Sequence, residues 1–218
     1  RIRVRYYDYK QFASTVSVKE IDVPEEPEAC VANKTAPPVS AYYWPPDTKV
    51  RVYFKRGMFT AEQHTTLLAA MQTWSDSANA TGAGITFSYA GEIDELATCD
   101  GCLTVTRREV HKTDRKHYAL FNPLKQASDG LLLSAWIDFD IATTNPKALQ
   151  GFMAHELGHG MGLWDCTSCK KNKTIMNGFP GINNNNGRVA PSECDLEVVR
   201  QIYQLQRRVD NNIRVVKK

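Results

Sequence analysis

The chain has 218 residues, 42% of them apolar and 23% charged, and a net charge of +3. This length is ample for one hydrophobic core, and the composition excludes disordered and fibrous classes. Lysines and arginines are scattered among acidic residues, so a nucleic-acid partner is not expected. No apolar run approaches the roughly 18 residues that span a bilayer, so no membrane partner is expected either.

Arg1 to Tyr9 alternates as a strand does, and Arg1-Ile2-Arg3-Val4-Arg5 lacks the apolar core of a signal peptide. Val23-Pro24-Glu25-Glu26-Pro27-Glu28, Pro37-Pro38 and Pro45-Pro46 carry turn and linker chemistry. Residues 1–45 are therefore read as an N-terminal extension or pro-segment, and residues 46–218 as one domain. Lys49 to Phe54 alternates as a strand. Thr60 can cap a helix to about Ala78, with Gln63 at the capping-box position. Leu67, Leu68, Met71, Trp74 and Ala78 form its apolar stripe. Ile85–Tyr89, Leu103–Arg107 and Leu131–Phe139 read as further strands. Thr143-Thr144-Asn145-Pro146 offers a helix start, and Ala148–Gly160 a helix. Asn177–Pro191 reads as a loop, and Asp195–Gln206 as a closing helix with Leu196, Val199, Ile202, Tyr203 and Leu205 as its apolar positions. The class this order implies is α+β.

Six cysteines stand at 30, 99, 102, 166, 169 and 194. An even count in a chain of this size favours three disulfides and an oxidising compartment, hence a secreted or extracellular protein. Reduced buried thiols, or a second zinc held by the two C-x-x-C pairs, are the other readings.

The chemistry lies in His155-Glu156-Leu157-Gly158-His159. Histidines four residues apart on a helix stand about 40° apart on one face, so both imidazoles reach one ion at the roughly 2.0–2.1 Å that zinc requires. Glu156, between them, stands beside the metal and can take a proton from a water molecule and later hand it to a leaving amine. Gly160 and Gly162 lie where the helix would end, and glycine tolerates the left-handed conformation that turns a chain back. That turn can return Asp165 as third ligand, leaving the fourth position for water.

The pattern His155-Glu156-x-x-His159-x-x-Gly162-x-x-Asp165 resembles the extended zinc signature of the metzincin peptidases, which usually end it in His. The Asp ending is similar to that of snapalysins, small secreted bacterial metzincins. Thr174-Ile175-Met176-Asn177-Gly178 looks like their Met-turn, in which a methionine forms a hydrophobic floor under the metal. From about residue 48 to 206 the order of elements is similar to that of matrixins. The resemblance implies a mixed sheet, an active-site helix and a smaller C-terminal subdomain. It implies a monomeric zinc endopeptidase acting on protein or peptide substrates, with His155, His159 and Asp165 as metal ligands and Glu156 as general base. It also makes Asp138 and Asp140 candidates for a structural calcium ion, and places the pocket for the substrate residue just after the cut in Asn177–Pro191.

Three departures stand out. Asp165 replaces the usual His; no Tyr stands two residues after Met176; and Cys166 directly follows the third ligand, similar to archaemetzincins, whose cysteines bind a second zinc. Cys30 is expected to pair with Cys194, with each C-x-x-C closed locally; the alternative is a Cys30 thiolate on the zinc that holds the enzyme latent, as in matrixin pro-segments. Leu131–Ile137 is expected to be an edge strand that pairs with extended substrate. His111 and His117 flank a charged loop and are expected to be solvated. A binding or inhibitory protein that keeps the zinc site without turnover is the rival class, against which the presence of Glu156 speaks, since metal binding alone does not require that carboxylate.

Overall fold

In the computed structural model, residues 28–110, 118–177 and 187–216 are described; the expected strand at Arg1–Tyr9, His111 and His117 lie outside them. The fold is α+β. A short helix α1 (Glu28–Ala32) precedes β1 (Lys49–Lys55), α2 (Ala61–Thr81), β2 (Thr86–Ile93), β3 (Cys102–Arg108), β4 (Ala119–Gln126), β5 (Leu132–Asp140), α3 (Pro146–Gly160) and α4 (Glu193–Val216). The five strands form one mixed sheet in the order β2-β1-β3-β5-β4, in which β4 alone runs antiparallel to its neighbour.

β1 is a half-buried strand in the simplest sense: Val50, Val52 and Phe54 face the core and the residues between them face outward. α2 opens with the reciprocal box expected of it. Gln63 N–H donates to Thr60 Oγ1 at 3.3 Å, and Thr60 N–H donates to Gln63 Oε1 at 3.0 Å. Its inward face is Leu67, Ala70, Met71 and Trp74. Leu68 departs from the expected stripe: it is turned about 100° from Leu67 and lies exposed. The side chain of Ala78 lies outside the described residues.

β5 is not an edge strand. It is hydrogen-bonded to β3 on one side and β4 on the other, and seven of its nine residues between Leu132 and Asp140 are buried in the core. The edge belongs to β4, an element the sequence pattern did not expose. Pro123 interrupts its alternation, and a proline counts against an interior strand because it lacks a donor. At the edge that donor is not needed, and the register with β5 shifts just after Pro123.

α3 starts at Pro146, two residues earlier than expected. Asn145 caps it by accepting from Ala148 N–H, and Pro146 fills the first turn, where no donor is wanted. Every residue from Gly151 to Gly160 is buried. One side of α3 meets α2, where Trp74 Nε1 donates to the Ala154 carbonyl at 2.6 Å inside the core. α4 presents Val198, Val199, Ile202 and Tyr203 to the core, while Leu196 and Leu205 are half-buried. Among the described residues the chain after Gly162 adds no named strand, only a 3-10 turn at Ile175–Asn177 and α4.

The stretch from Ala36 to Trp44 is built into this core. Ser40 N–H donates to the Gly162 carbonyl at 2.7 Å, Trp44 N–H to Gly160 at 3.0 Å, and Trp164 N–H returns a bond to Pro38 at 2.8 Å. Leu132 N–H donates to the Tyr43 carbonyl at 2.8 Å, and Trp44 is fully buried. This stretch thus bridges the exit of α3 and the start of β5.

The six cysteines form three disulfides: Cys30–Cys194, Cys99–Cys102 and Cys166–Cys169. The first ties residues 164 apart in sequence, α1 to the start of α4. Cys30 is therefore bonded to sulfur and not held as a thiolate at the histidines. No helix among the described residues is long and apolar enough to cross a membrane.

Candidate metal centre

His155, Glu156 and His159 occupy the last two turns of α3, and each offers an atom within 4.8 Å of the others. The two imidazole rings stand 5.0 Å apart at nearly a right angle. After Gly160 the chain leaves the helix at Met161. Gly162, at φ +95°, takes the conformation that reverses it. Gly160 stays helical, so its role differs from the expected one: a Cβ there would lie 2.7 Å from Nε1 of Trp44, and the absence of a side chain lets that indole pack on the helix. Gly158 is bare for a like reason, since a Cβ would lie 2.6 Å from the Met176 sulfur. Met176 is buried, with its sulfur against Gly158 of the helix.

The turn brings Asp165 back to the histidines. Its Oδ1 lies 3.1 Å from His155 Nε2 and 3.7 Å from His159 Nε2. Donor atoms of a tetrahedral site with ligands at 2.0–2.1 Å stand about 3.3 Å apart, so these separations suit one zinc ion. The far side of each ring is equally informative. His155 Nδ1 meets the Ile175 carbonyl at 2.9 Å, and His159 Nδ1 meets the Leu163 carbonyl at 3.0 Å. A carbonyl only accepts, so each Nδ1 carries a hydrogen, and each Nε2 is left to face Asp165 across a gap that a proton or a metal ion can fill. Two nitrogens and one carboxylate oxygen are a donor set that zinc accepts. Glu156, also buried, holds Oε2 3.9 Å from His159 Nε2, close to the cluster.

The electrostatics point the same way. Burial by itself lowers the pKa of His155, but the hydrogen bond to Asp165, the charges of Glu156 and Asp165, and the Ile175 carbonyl carry it up to about 9. The cluster is an anionic pocket with room between His155 and Asp165 for either a proton or a metal cation.

A carboxylate outside the motif holds the Ile175 carbonyl in place. Asp195 is fully buried and accepts from Ile175 N–H at 2.9 Å, Ser192 N–H at 2.7 Å, Ser192 Oγ at 2.8 Å and Thr174 Oγ1. Burial pushes its carboxyl up, against these bonds, which pull it down. Its one sequence signal is the Ser192-x-x-Asp195 pattern at a helix start, where Asp195 N–H also donates to Ser192 Oγ. Of the calcium candidates, Asp138 Oδ2 accepts from Arg108 at 2.6 Å and from the Trp136 indole at 3.1 Å, and Asp140 Oδ1 accepts from Ala142 N–H.

The sequence matches no family model and no curated protein. In structure the chain is similar to metalloproteinase-II from Bacteroides fragilis, at 12% identity and a TM-score of 0.47, over 82% of this chain and 60% of that one. It is also similar to myroilysin, at 16% identity and a TM-score of 0.33, over 66% of this chain and 60% of that one. The chain thus spans about 60% of the length of either protein. The functional reading rests on this chain's own side chains.

Proposed function

We propose that this chain is a zinc-dependent endopeptidase of the metzincin type, secreted and monomeric, with His155, His159 and Asp165 as metal ligands and Glu156 as general base. The observation that carries the reading is the pair of histidines whose Nδ1 hydrogens are taken by backbone carbonyls while their Nε2 atoms face one Asp165 oxygen. Bound there, zinc would polarise the scissile carbonyl and acidify water. Glu156 accepts the proton from the attacking water and passes it to the nitrogen of the leaving amine. Its burial keeps bulk water from competing for that proton. The outer edge of β4, which no strand among the described residues pairs, aligns an extended peptide by strand addition, the role first expected of β5. The loop at 177–191, of which 178–186 lie outside the described residues, walls the pocket for the residue just after the cut. Residues 1–45 act as an extension or pro-segment to the domain at 46–218, with Ala36 to Trp44 packed into it.

Metal analysis and casein degradation, on the parent and Glu156→Ala, test this. Both proteins should hold near-stoichiometric zinc, and the variant should lose activity at least about a hundredfold. Activity within a few-fold of the parent removes Glu156 from its role. Asp165→Ala should lose zinc and activity together, because two histidines hold the ion poorly, whereas Asp165→His should keep the metal. Zinc bound by Asp165→Ala as tightly as by the parent would overturn the ligand set.

A further inference from the structure

Four rings close a circuit beside the proposed metal ligands. His159 meets Trp164 edge-on at 5.8 Å between centroids; Trp164 meets Tyr42 edge-on at 6.1 Å; Tyr42 stacks on Phe121 at 5.9 Å; and Phe121 returns to His159 at 6.2 Å. Three distant parts of the chain supply them: Tyr42 comes from the stretch before β1, Phe121 from the edge strand β4, and Trp164 from the turn that follows α3. Phe121 is buried and Tyr42 half-buried, yet Trp164 leaves 47% of its surface in solvent. Its backbone is nevertheless fixed, by donation from its N–H to the Pro38 carbonyl. A large indole held rigidly in water beside a buried polar cluster calls for a reason, because burying such a ring is worth several times the burial of a small side chain.

We infer that Trp164, with Tyr42 and Phe121 behind it, is the specificity-determining wall of the active site, and that it takes a large apolar or aromatic side chain of the peptide just before the cut. This rests on the endopeptidase reading. The assignment of side follows from the two flanks of the cluster. His155 is bonded to Ile175, at the entrance to the loop that walls the pocket after the cut, whereas the ring circuit surrounds His159. Phe121 lies on β4, so a peptide paired along that edge is led to the wall. The wall also carries no charge of its own. Burial first, then the charge of Glu156, push the Tyr42 phenol up to about 12, so it stays neutral in any physiological medium. The charges that act on Tyr42, those of Glu156 and Asp165, belong to the metal cluster and not to the wall, and an apolar side chain placed against the rings loses water from two faces at once.

The test uses the zinc-loaded full chain and peptide pairs identical but for Phe or Ala at the positions before the cut. The parent should favour the Phe peptide in kcat/KM by about tenfold or more. Trp164→Ser should bring that ratio within about threefold, chiefly by slowing the Phe peptide, while Trp164→Phe restores most of it. Tyr42→Leu, remote in sequence from Asp165, should lower the ratio in the same direction. Zinc content at one per chain in each variant separates loss of the wall from displacement of Asp165. A parent that cleaves both peptides equally, or a Trp164→Ser ratio equal to the parent's, overturns the wall and leaves the peptidase reading standing. A zinc-loaded parent that cleaves neither peptide defeats the peptidase reading instead. Calorimetric binding of the same peptides to Glu156→Ala then decides the wall: tighter Phe binding, lost in Glu156→Ala/Trp164→Ser, supports it, and equal binding overturns it.

Discussion

The two histidines of the cluster lie one helical turn apart and are held in opposite ways. His159 takes its backbone partner from Leu163, four residues on, through the turn that Gly162 makes. His155 takes its partner from Ile175, twenty residues on, and Ile175 is itself held by Asp195 at the start of α4. One ring is oriented by local geometry, the other by a tertiary network of buried hydrogen bonds. Local geometry survives loosening of the surrounding fold, whereas the His155 side is only as ordered as the packing of α4.

This contrast can be broken at its weaker end first. Asp195→Ala strips an acceptor from four donors, of which the Ile175 N–H is buried, and should destabilise the chain by about 3 kcal/mol or more. In a chain of this size that lowers Tm by roughly 6–12 °C. Zinc affinity should fall about tenfold or more, as for other partners that orient a ligand. Calorimetry with zinc competition reads both; unaltered zinc affinity would mean that the Ile175 carbonyl stays in place without Asp195.

A smaller effect is expected on the His159 side. Gly162→Ala must adopt φ +95° and would place its Cβ 2.9 Å from Ile202 Cδ1, so a cost of about 1–3 kcal/mol follows. Because the same turn carries both Leu163 and Asp165, zinc affinity should drop more per unit of lost stability here than in Asp195→Ala. Denaturant melts paired with zinc titration compare the two ratios, and equal ratios would erase the distinction between the flanks.

A further effect needs no substitution. With the His155 pKa raised to about 9, the ring holds a proton throughout the neutral range, and zinc must displace it. The displaced proton is bound below that pKa, so apparent zinc affinity should rise with pH, by about tenfold per unit from pH 6 to 8 for one proton released. Chelator competition at several pH values checks the slope. A flat profile would show that the carboxylates do not hold a proton on His155.

Much of the site was legible in the sequence because helical spacing is itself a geometric statement. His155, Glu156 and His159 had to share one face of any helix formed there, and Gly162 had to permit the turn that Asp165 needs. The same holds for the capping of α2, the alternation of β1 and the three disulfides, since each depends on residues near in sequence or on a count of cysteines. What the sequence could not disclose was the neighbourhood. β4 was hidden because Pro123 argues against an interior strand, and only the pairing order makes it an edge. With β4 outermost, β5 becomes an inner strand, and the edge expected of β5 moves one strand outward. Gly160 looks like a turn residue until Trp44, from more than a hundred residues away, is seen to pack on it. Asp195 and the ring circuit of Tyr42, Phe121 and Trp164 likewise exist only as contacts between distant segments. Residues a turn apart are bound by covalent geometry, and a pattern can announce them. The carbonyl behind His155 and the rings beside His159 depend on how sheet, helix and N-terminal stretch close over one core, and only the tertiary structure decides that.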